Sequence, residues 1–220
     1  MELTLAVIKK DPLITAFLQK ADEHLEVMGF TEHGLRHASL VSNISQNILL
    51  RLGYPERQGE LAAMAGYLHD LGNIVNRKDH GRTGALIALD YLLKKGMDPL
   101  EAATIVGAIG NHEEETGEAV NTIAAAVILA DKSDVHRSRV RNSDLATFDI
   151  HDRVNYAATH SFLNVNEEKK SITLELTIEN KICPVMEYFE IFLVRMMMCR
   201  RAAAFLKCHF KIEINGIQIL

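Results

Sequence analysis

Histidine and aspartate side chains stand beside apolar segments at several points in this chain. His69 and Asp70 are adjacent and follow the apolar run LAAMAGYL, and Asp131 follows the apolar run VILA. A buried carboxylate stays ionised only where a cation or several hydrogen bonds stabilise its charge. The sequence therefore raises the question of which cation Asp70 meets.

Further histidines lie close to the ends of neighbouring predicted helices. His33 and His37 are four residues apart, which places them on one face of a helix, while His80 begins one predicted helix and His112 follows another. Imidazole together with carboxylate suits iron, manganese, zinc, cobalt or nickel better than calcium or magnesium. Taken singly, each residue is an ordinary cap or surface group, so the prediction of a metal site depends on the whole set.

Six predicted helices must position these groups. Asp11-Pro12 and Asp98-Pro99 each place an oxygen cap before a proline at the first helical position, and glycines end several of the helical patterns. The sixth helix has no polar face, which is typical of a helix at the centre of a bundle. The predicted helices cover residues 12–28, 31–52, 55–70, 80–95, 99–109 and 121–134.

The pattern changes after about residue 149. Two alternating segments, residues 162–165 and 172–178, flank a polar turn and predict a β-hairpin. A long helix is predicted at residues 184–206, and Asn215-Gly216 then predicts a second hairpin.

The predicted fold class is therefore mainly α. A helical bundle over residues 1–148 carries the metal site, and a small C-terminal α+β extension of hairpin, helix and hairpin covers residues 149–220. No linker-like Pro/Gly/Ser stretch separates the two parts, so we expect the extension to pack on the bundle. Its strands could also supply the edge of a homodimer.

Composition narrows the environment and the partners. A net charge of −5 disfavours a general nucleic-acid binder, so we expect no stable nucleic-acid binding. Three cysteines without a CxxC spacing fit reduced thiols. No apolar run reaches the roughly 18 residues that a membrane span needs, and the N-terminus lacks the pattern of a signal peptide. We expect a soluble cytoplasmic protein that does not bind a membrane.

The order His37 … His69-Asp70 … Asp131 resembles the motif that names the HD superfamily of metal-dependent phosphohydrolases. The surrounding segments HASLVSNIS, AAMAGYLHDLGN and VILADKSD resemble the helices that carry this motif, and the resemblance covers about residues 30–140. It implies an HD-domain helical bundle in which these four residues bind one metal ion.

The resemblance also implies a second ion. In family members with two metals, histidines after the HD pair complete the second site and the HD aspartate bridges the ions; His80 and His112 stand at the matching positions. We therefore expect a dinuclear transition-metal site, with iron or manganese favoured. His33 is expected to be a further ligand or a partner of one.

Two departures from a related subfamily limit the substrate. The chain has HDLGN and NHEEETGEA, whereas the subfamily that cleaves cyclic di-GMP typically has HDIGK and HHExxDGxGYP. Hydrolysis of cyclic di-GMP is therefore not expected.

The chemistry implied by the family is hydrolysis of a phosphate ester or nucleotide by a metal-bound hydroxide. Asp70 would hold the metals and Lys132 would give a proton to the leaving group. Residues 113–115 could orient the imidazole of His112 through its other nitrogen. Basic residues near the motif are candidates for binding a small phosphorylated substrate: Lys132, Arg137, Arg139 and Arg82.

Two other functions remain open from the sequence. Myo-inositol oxygenase is similar in its HD-type framework, and a di-iron oxygenase of that type would bind an uncharged polyol, which the basic cluster disfavours. A non-catalytic regulator could keep a structural metal site, although it would have no need of a complete ligand set.

Overall fold

A computed structural model describes residues 3–114 and 116–220 of the chain. Within these residues seven α-helices form a bundle and a smaller α+β region follows, which confirms the predicted fold class. The bundle helices are α1 (Leu5–Lys10), α2 (Pro12–Val27), α3 (Leu35–Arg51), α4 (Glu56–Leu68), α5 (His80–Lys94), α6 (Pro99–Gly110) and α7 (Thr122–Lys132).

Polar caps begin three of these helices, and two of these caps were predicted from the sequence. The Asp11 carboxylate accepts the N–H of Leu13 at 2.9 Å, and Asp98 accepts the N–H of Leu100 at 2.9 Å. At α7 the side chain of Asn121 accepts the N–H of Ala124 at 2.7 Å. Each cap satisfies a backbone N–H that has no partner within its own helix.

Helix α7 lies at the centre of the bundle, as its apolar sequence predicted. All of its residues from Ile123 to Lys132 are buried. It packs against α3, α4 and α6 of the bundle and against the long C-terminal helix. Because Asp131 belongs to its last turn, that carboxylate is held inside the protein.

A 3₁₀ turn at Leu71–Ile74 joins α4 to the segment before α5. Within it, a Cβ atom on Gly72 would lie 1.9 Å from the carbonyl oxygen of His80 and 2.6 Å from the nitrogen of Gly84. Only a glycine allows the first turn of α5 to approach the turn after Asp70 so closely. This contact brings His80 next to Asp70.

The C-terminal region contains the two predicted hairpins and the long helix, together with one short helix that the sequence analysis missed. Four strands form one sheet of order β1 (Ala158–Asn166), β2 (Ser171–Ile178), β3 (His209–Ile214) and β4 (Ile217–Gln218). The pairs β1–β2 and β3–β4 are antiparallel. The pair β2–β3 is parallel, and the long helix connects its two strands. The sequence predicted separate hairpins rather than this single sheet. The two helices of this region are the short helix α8 (Ile150–Ala157) and the long helix α9 (Val185–Phe205).

Two further differences concern the bundle. Helix α1 was not predicted, and α3 begins at Leu35 rather than near residue 31. The later start has a local cause, because the N–H of His33 donates to Asp22 and the N–H of Gly34 donates to Glu32, both at 2.8 Å. These bonds hold residues 31–34 as a loop.

Across residues 3–114 and 116–220, none of the helices combines the length and the apolar character that a membrane crossing requires.

Candidate metal centre

Four buried histidines present the same ring nitrogen to one another. In each ring Nδ1 contacts a protein oxygen, so a neutral ring carries its proton there and directs the lone pair of Nε2 into the interior. The acceptors are Asp134 Oδ2 for His37 (2.7 Å), the carbonyl of Gly66 for His69 (2.8 Å), the carbonyl of Arg77 for His80 (2.9 Å) and the carbonyl of Ile109 for His112 (2.6 Å).

The first cluster contains His37, His69, Asp70 and Asp131. The Nε2 atoms of the two histidines lie 3.2 Å apart. Oδ1 of Asp131 lies 3.3 Å from Nε2 of His37, and Oδ2 of Asp70 lies 3.5 Å from Nε2 of His69. Two nitrogen lone pairs at this separation repel each other unless a proton or a metal ion lies between them, so the cluster could hold a cation.

The second cluster contains His80, His112 and Asp70. The Nε2 atoms of its two histidines lie 3.0 Å apart. Oδ1 of Asp70 lies 3.2 Å from Nε2 of His80 and 3.9 Å from Nε2 of His112. The two carboxylate oxygens of Asp70 thus face different clusters, and Oδ2 is buried without a hydrogen-bond partner in the described part of the chain.

All of these ligand candidates lie at or next to helix ends that meet at one place. His37 belongs to the first turn of α3, His69 and Asp70 follow α4, and His80 is the first residue of α5. His112 follows α6, and Asp131 lies in the last turn of α7. The sequence placed these six residues at or near helix ends, and the structure brings all six together.

Charges are stabilised within this buried cluster. Burial alone would raise the pKa of Asp70 and of Asp131, but neighbouring histidines, and Lys132 beside Asp131, hold both well below the usual 3.8. Burial lowers the pKa of His37, yet its hydrogen bonds to Asp131 and Asp134 outweigh this and raise it to about 9. Without a bound metal, His37 would therefore carry an additional proton at neutral pH.

A chain of alternating charges leads from the first cluster to α9. Asp131 Oδ2 contacts Nζ of Lys132, and this ammonium lies 3.8 Å from Oε1 of Glu114. The same Glu114 oxygen accepts a hydrogen bond from Nε of Arg195 at 2.7 Å. Lys132 was predicted as a substrate contact, and it does lie at the site. Glu114 and Arg195 were not anticipated in this role, because no local pattern links residues so far apart.

Arg77 is a residue of the site that the sequence analysis missed. Its Nη1 lies 3.4 Å from Nε2 of His80, 4.0 Å from Oδ1 of Asp70 and 3.2 Å from Oδ1 of Asn73. Its side chain is 32% exposed, so a ligand can reach it. The signal in the sequence was its position between the HD pair and His80.

His33 lies beside the first cluster but does not face it with a free nitrogen. Its Nδ1 contacts the carbonyl of Thr31 at 2.7 Å, and its Nε2 accepts a hydrogen bond from Arg139 at 2.9 Å. Burial and the charge of Arg139 lower the pKa of His33 well below 6.5. These contacts do not support the expectation that His33 is a ligand.

Arg139 and Arg137 also have partners within the protein rather than at the site. Arg139 is buried and donates to the carbonyls of Asp134 and Glu32. Arg137 donates to Glu179 at 3.0 Å, and its guanidinium lies over the ring of Tyr156. The contacts do not support the expectation that either arginine binds substrate phosphate.

Arg82 is 65% exposed and pairs with Asp79 at 3.5 Å on the surface of α5, so its role in binding substrate stays a prediction. Glu113 does not orient His112. Its Oε1 lies 2.5 Å from Nδ1 of His80 and accepts the N–H of Gly81. Glu115, which was expected beside these residues, lies outside the described residues.

The chain is similar to a known domain family and to two known proteins. The HD domain family model matches residues 34–138, a segment that contains all six of the clustered histidines and aspartates. An uncharacterized protein of Methanocaldococcus jannaschii is 30% identical over 178 residues, which are 70% of this chain and 67% of that protein. Ribonuclease Y of Streptococcus sanguinis is 29% identical over 122 residues, which are 54% of this chain and 20% of that enzyme.

Proposed function

This chain belongs to the HD superfamily of metal-dependent phosphohydrolases, and we propose that it hydrolyses a small phosphate ester or a nucleotide at a dinuclear site. One observation carries the proposal: the two oxygens of Asp70 are divided between two histidine pairs, at 3.5 Å from His69 and 3.2 Å from His80. A carboxylate in this position can bridge two ions.

The residues present fit a pair of divalent transition metals. His37, His69, Asp70 and Asp131 would hold one ion, and Asp70, His80 and His112 would hold the other. This nitrogen and oxygen donor set suits iron, manganese, zinc, cobalt or nickel, and we favour iron or manganese. When bound, such ions lower the pKa of coordinated water and offset negative charge on phosphoryl oxygens.

The protein supplies cations on both sides of the proposed metal pair. Arg77 lies beside His80 and Asp70, and Lys132 lies beside Asp131. We infer that Arg77 binds a phosphoryl oxygen and that Lys132 gives a proton to the leaving oxygen. Bonds of this kind, between charged groups, are stronger than those between neutral groups.

The two parts of the chain would have different roles in this function. Residues 1–148 would form the catalytic bundle and residues 149–220 an extension whose Arg195 reaches Glu114. The three cysteines are free and buried, which is compatible with the expected cytoplasmic location.

The experiment that tests this function combines metal content with activity. Purified protein is stripped with a chelator and reloaded with manganese or iron. Metal per chain is then measured beside phosphate release from a monoester, a diester and a nucleotide panel. We expect close to two ions per chain and hydrolysis that chelator abolishes. Loaded protein that hydrolyses none of the panel would contradict the proposal, and oxygen consumption with a polyol would identify an oxygenase instead.

A phosphodiester is the second candidate substrate. It is favoured by the similarity to Ribonuclease Y, whose name describes action on RNA, although the chain covers only 20% of that enzyme. A short single-stranded RNA in the same panel separates the two candidates. Cleavage of the RNA faster than of monoesters and nucleotides would favour the diester.

A further inference from the structure

Helix α9 exposes an apolar stripe on its outer face. Met186, Leu193, Val194 and Met197 are 68%, 53%, 56% and 43% exposed. Met186, Leu193 and Met197 are spaced by seven and four residues, so they lie along one side of the helix. Exposed apolar residues that form a continuous patch mark an interaction surface more often than scattered ones do.

The opposite face of α9 is buried in the protein. Tyr188, Phe192, Met196, Cys199 and Ala203 are each no more than 4% exposed, and α9 packs on α7, α8, β2 and β3. The stripe is therefore the outer side of a helix already docked on the bundle. Its residues are left uncovered by the described part of the chain.

Charged residues stand on both sides of the apolar middle of the stripe, which is formed by Leu193, Val194 and Met197. Glu190 lies toward the start of α9, and Arg200 and Arg201 lie toward its end, all three exposed. Among residues 3–114 and 116–220, none of the three forms an ion pair. After Met186, the stripe thus runs from one acidic residue through an apolar middle to two basic residues.

This charge order is complementary to itself when two copies of the helix run antiparallel. One register sets Leu193 opposite Met197 of the other copy. In this register Met186 faces Ala204. Glu190 then faces Arg200 and Arg201. A two-fold axis repeats each contact, which is the property of an isologous interface. The 21 residues of α9 span about 30 Å, long enough for the complete register.

We propose that the chain forms a homodimer in which α9 packs antiparallel against α9 of a second copy. The order of charges favours a second copy as the partner. Glu190 and Arg200 lie at equal distances on either side of the apolar centre, so each meets the opposite charge when the helix pairs antiparallel with its own copy. The interface is then the face of α9 rather than the edge strands that the sequence suggested. Its existence does not depend on metal or on substrate.

Charge reversal tests the dimer in the full chain by sedimentation velocity over a range of concentrations. We expect wild-type protein to be a dimer and Glu190→Arg to raise the dissociation constant by at least about tenfold, because like charges then meet. Arg200→Glu combined with Arg201→Glu should have the same effect. Combining all three substitutions restores opposite charges, so the dimer should return.

Glu168→Arg, in the exposed β1–β2 turn, is the matched control and should leave the dimer unchanged. Circular dichroism establishes that each variant is folded. The proposal would be overturned if the wild-type chain stays monomeric at the highest concentration. It would also be overturned if neither Glu190→Arg nor the combined Arg200→Glu and Arg201→Glu variant weakens the dimer. Since no assay of activity is involved, this result is independent of the proposed hydrolase function.

Discussion

The ring nitrogen Nδ1 of His37 lies 2.7 Å from Oδ2 of Asp134, and both side chains are buried. Asp134 is itself fixed by Arg36, whose Nη2 lies 2.8 Å away, and by Arg139 at 3.7 Å. Burial alone would raise the pKa of Asp134, but Arg139 and His37 hold it well below the usual range. An ionised carboxylate therefore orients the imidazole of His37 and makes its Nε2 a better metal donor.

Asp134→Asn should weaken metal binding about 10- to 100-fold, because the amide keeps an acceptor for Nδ1 but loses the charge. The measurement is competition with a chelator of known affinity. Asp144→Asn, which changes an exposed carboxylate that caps a 3₁₀ turn, is the control. An unchanged affinity in Asp134→Asn would mean that the carboxylate has no influence on the metal.

Substitutions at the two clusters should remove different numbers of ions. Asp70→Ala takes a donor from both clusters, so we expect loss of both ions and of activity. In the proposed assignment His112 is a donor to the second ion only, so one ion should remain in His112→Ala. Elemental analysis after gel filtration gives the stoichiometry, and Asp90→Ala on the surface of α5 controls for loss of a carboxylate. Retention of two ions in Asp70→Ala would disprove the bridging role.

Arg77→Met should raise the Michaelis constant for a phosphate substrate and leave metal content unchanged. A hydrogen bond between charged groups contributes about 1.5–3 kcal/mol, which corresponds to an increase of about 10- to 100-fold. Arg51→Met removes an exposed guanidinium from the last turn of α3 and is the matched control. If both variants have the wild-type Michaelis constant, Arg77 is not a substrate contact.

Arg195→Met should lower kcat although its side chain belongs to the C-terminal extension. Without the Nε donor at 2.7 Å, Glu114 is free to pair more closely with Lys132, which now lies 3.8 Å away. Lys132 would then be drawn from Asp131 and from the leaving group. Arg195→Lys should recover part of the rate.

Steady-state kinetics with a metal assay distinguishes this effect from loss of metal. Arg153→Met is a suitable control, because it breaks an equivalent pair with Glu187, at 2.8 Å, elsewhere in the extension. Equal rates in Arg195→Met and wild type would show that the extension does not influence catalysis.

Metal binding should tighten as the pH rises. In the metal-free protein the hydrogen bonds to Asp131 and Asp134 outweigh burial and raise the pKa of His37 from 6.5 to about 9. At neutral pH a metal must therefore displace a proton from His37, and this competition disappears as the pH passes 9. Burial and the charges of His69 and His80 lower the pKa of His112 well below 6.5, so His112 adds no such competition.

Calorimetry in two buffers of different ionisation enthalpy measures the released proton directly. We expect about one proton per metal bound to the first cluster at pH 7 and none well above pH 9. Release that does not change with pH would contradict the assignment of the proton to His37.

Local patterns in the sequence were sufficient to predict most of the helices, although not α1 or α8, and to place the ligand candidates near helix ends. Asp11-Pro12 and Asp98-Pro99 cap helices in the structure because a cap involves residues only two or three positions apart. The pair His69-Asp70 follows a buried helix, as its apolar approach indicated. Local patterns therefore predicted the fold class, and the resemblance to the HD motif predicted the family, which the family model confirms.

Tertiary structure decided which charged residues face the metal centre. Arg139 stands near the motif but is buried against carbonyls, whereas Arg195 reaches Glu114 across 81 positions of sequence. His37 likewise meets Asp134 across 97 positions. Helix packing sets these contacts, and the spacing of residues along the chain does not specify the angles and distances at which helices pack.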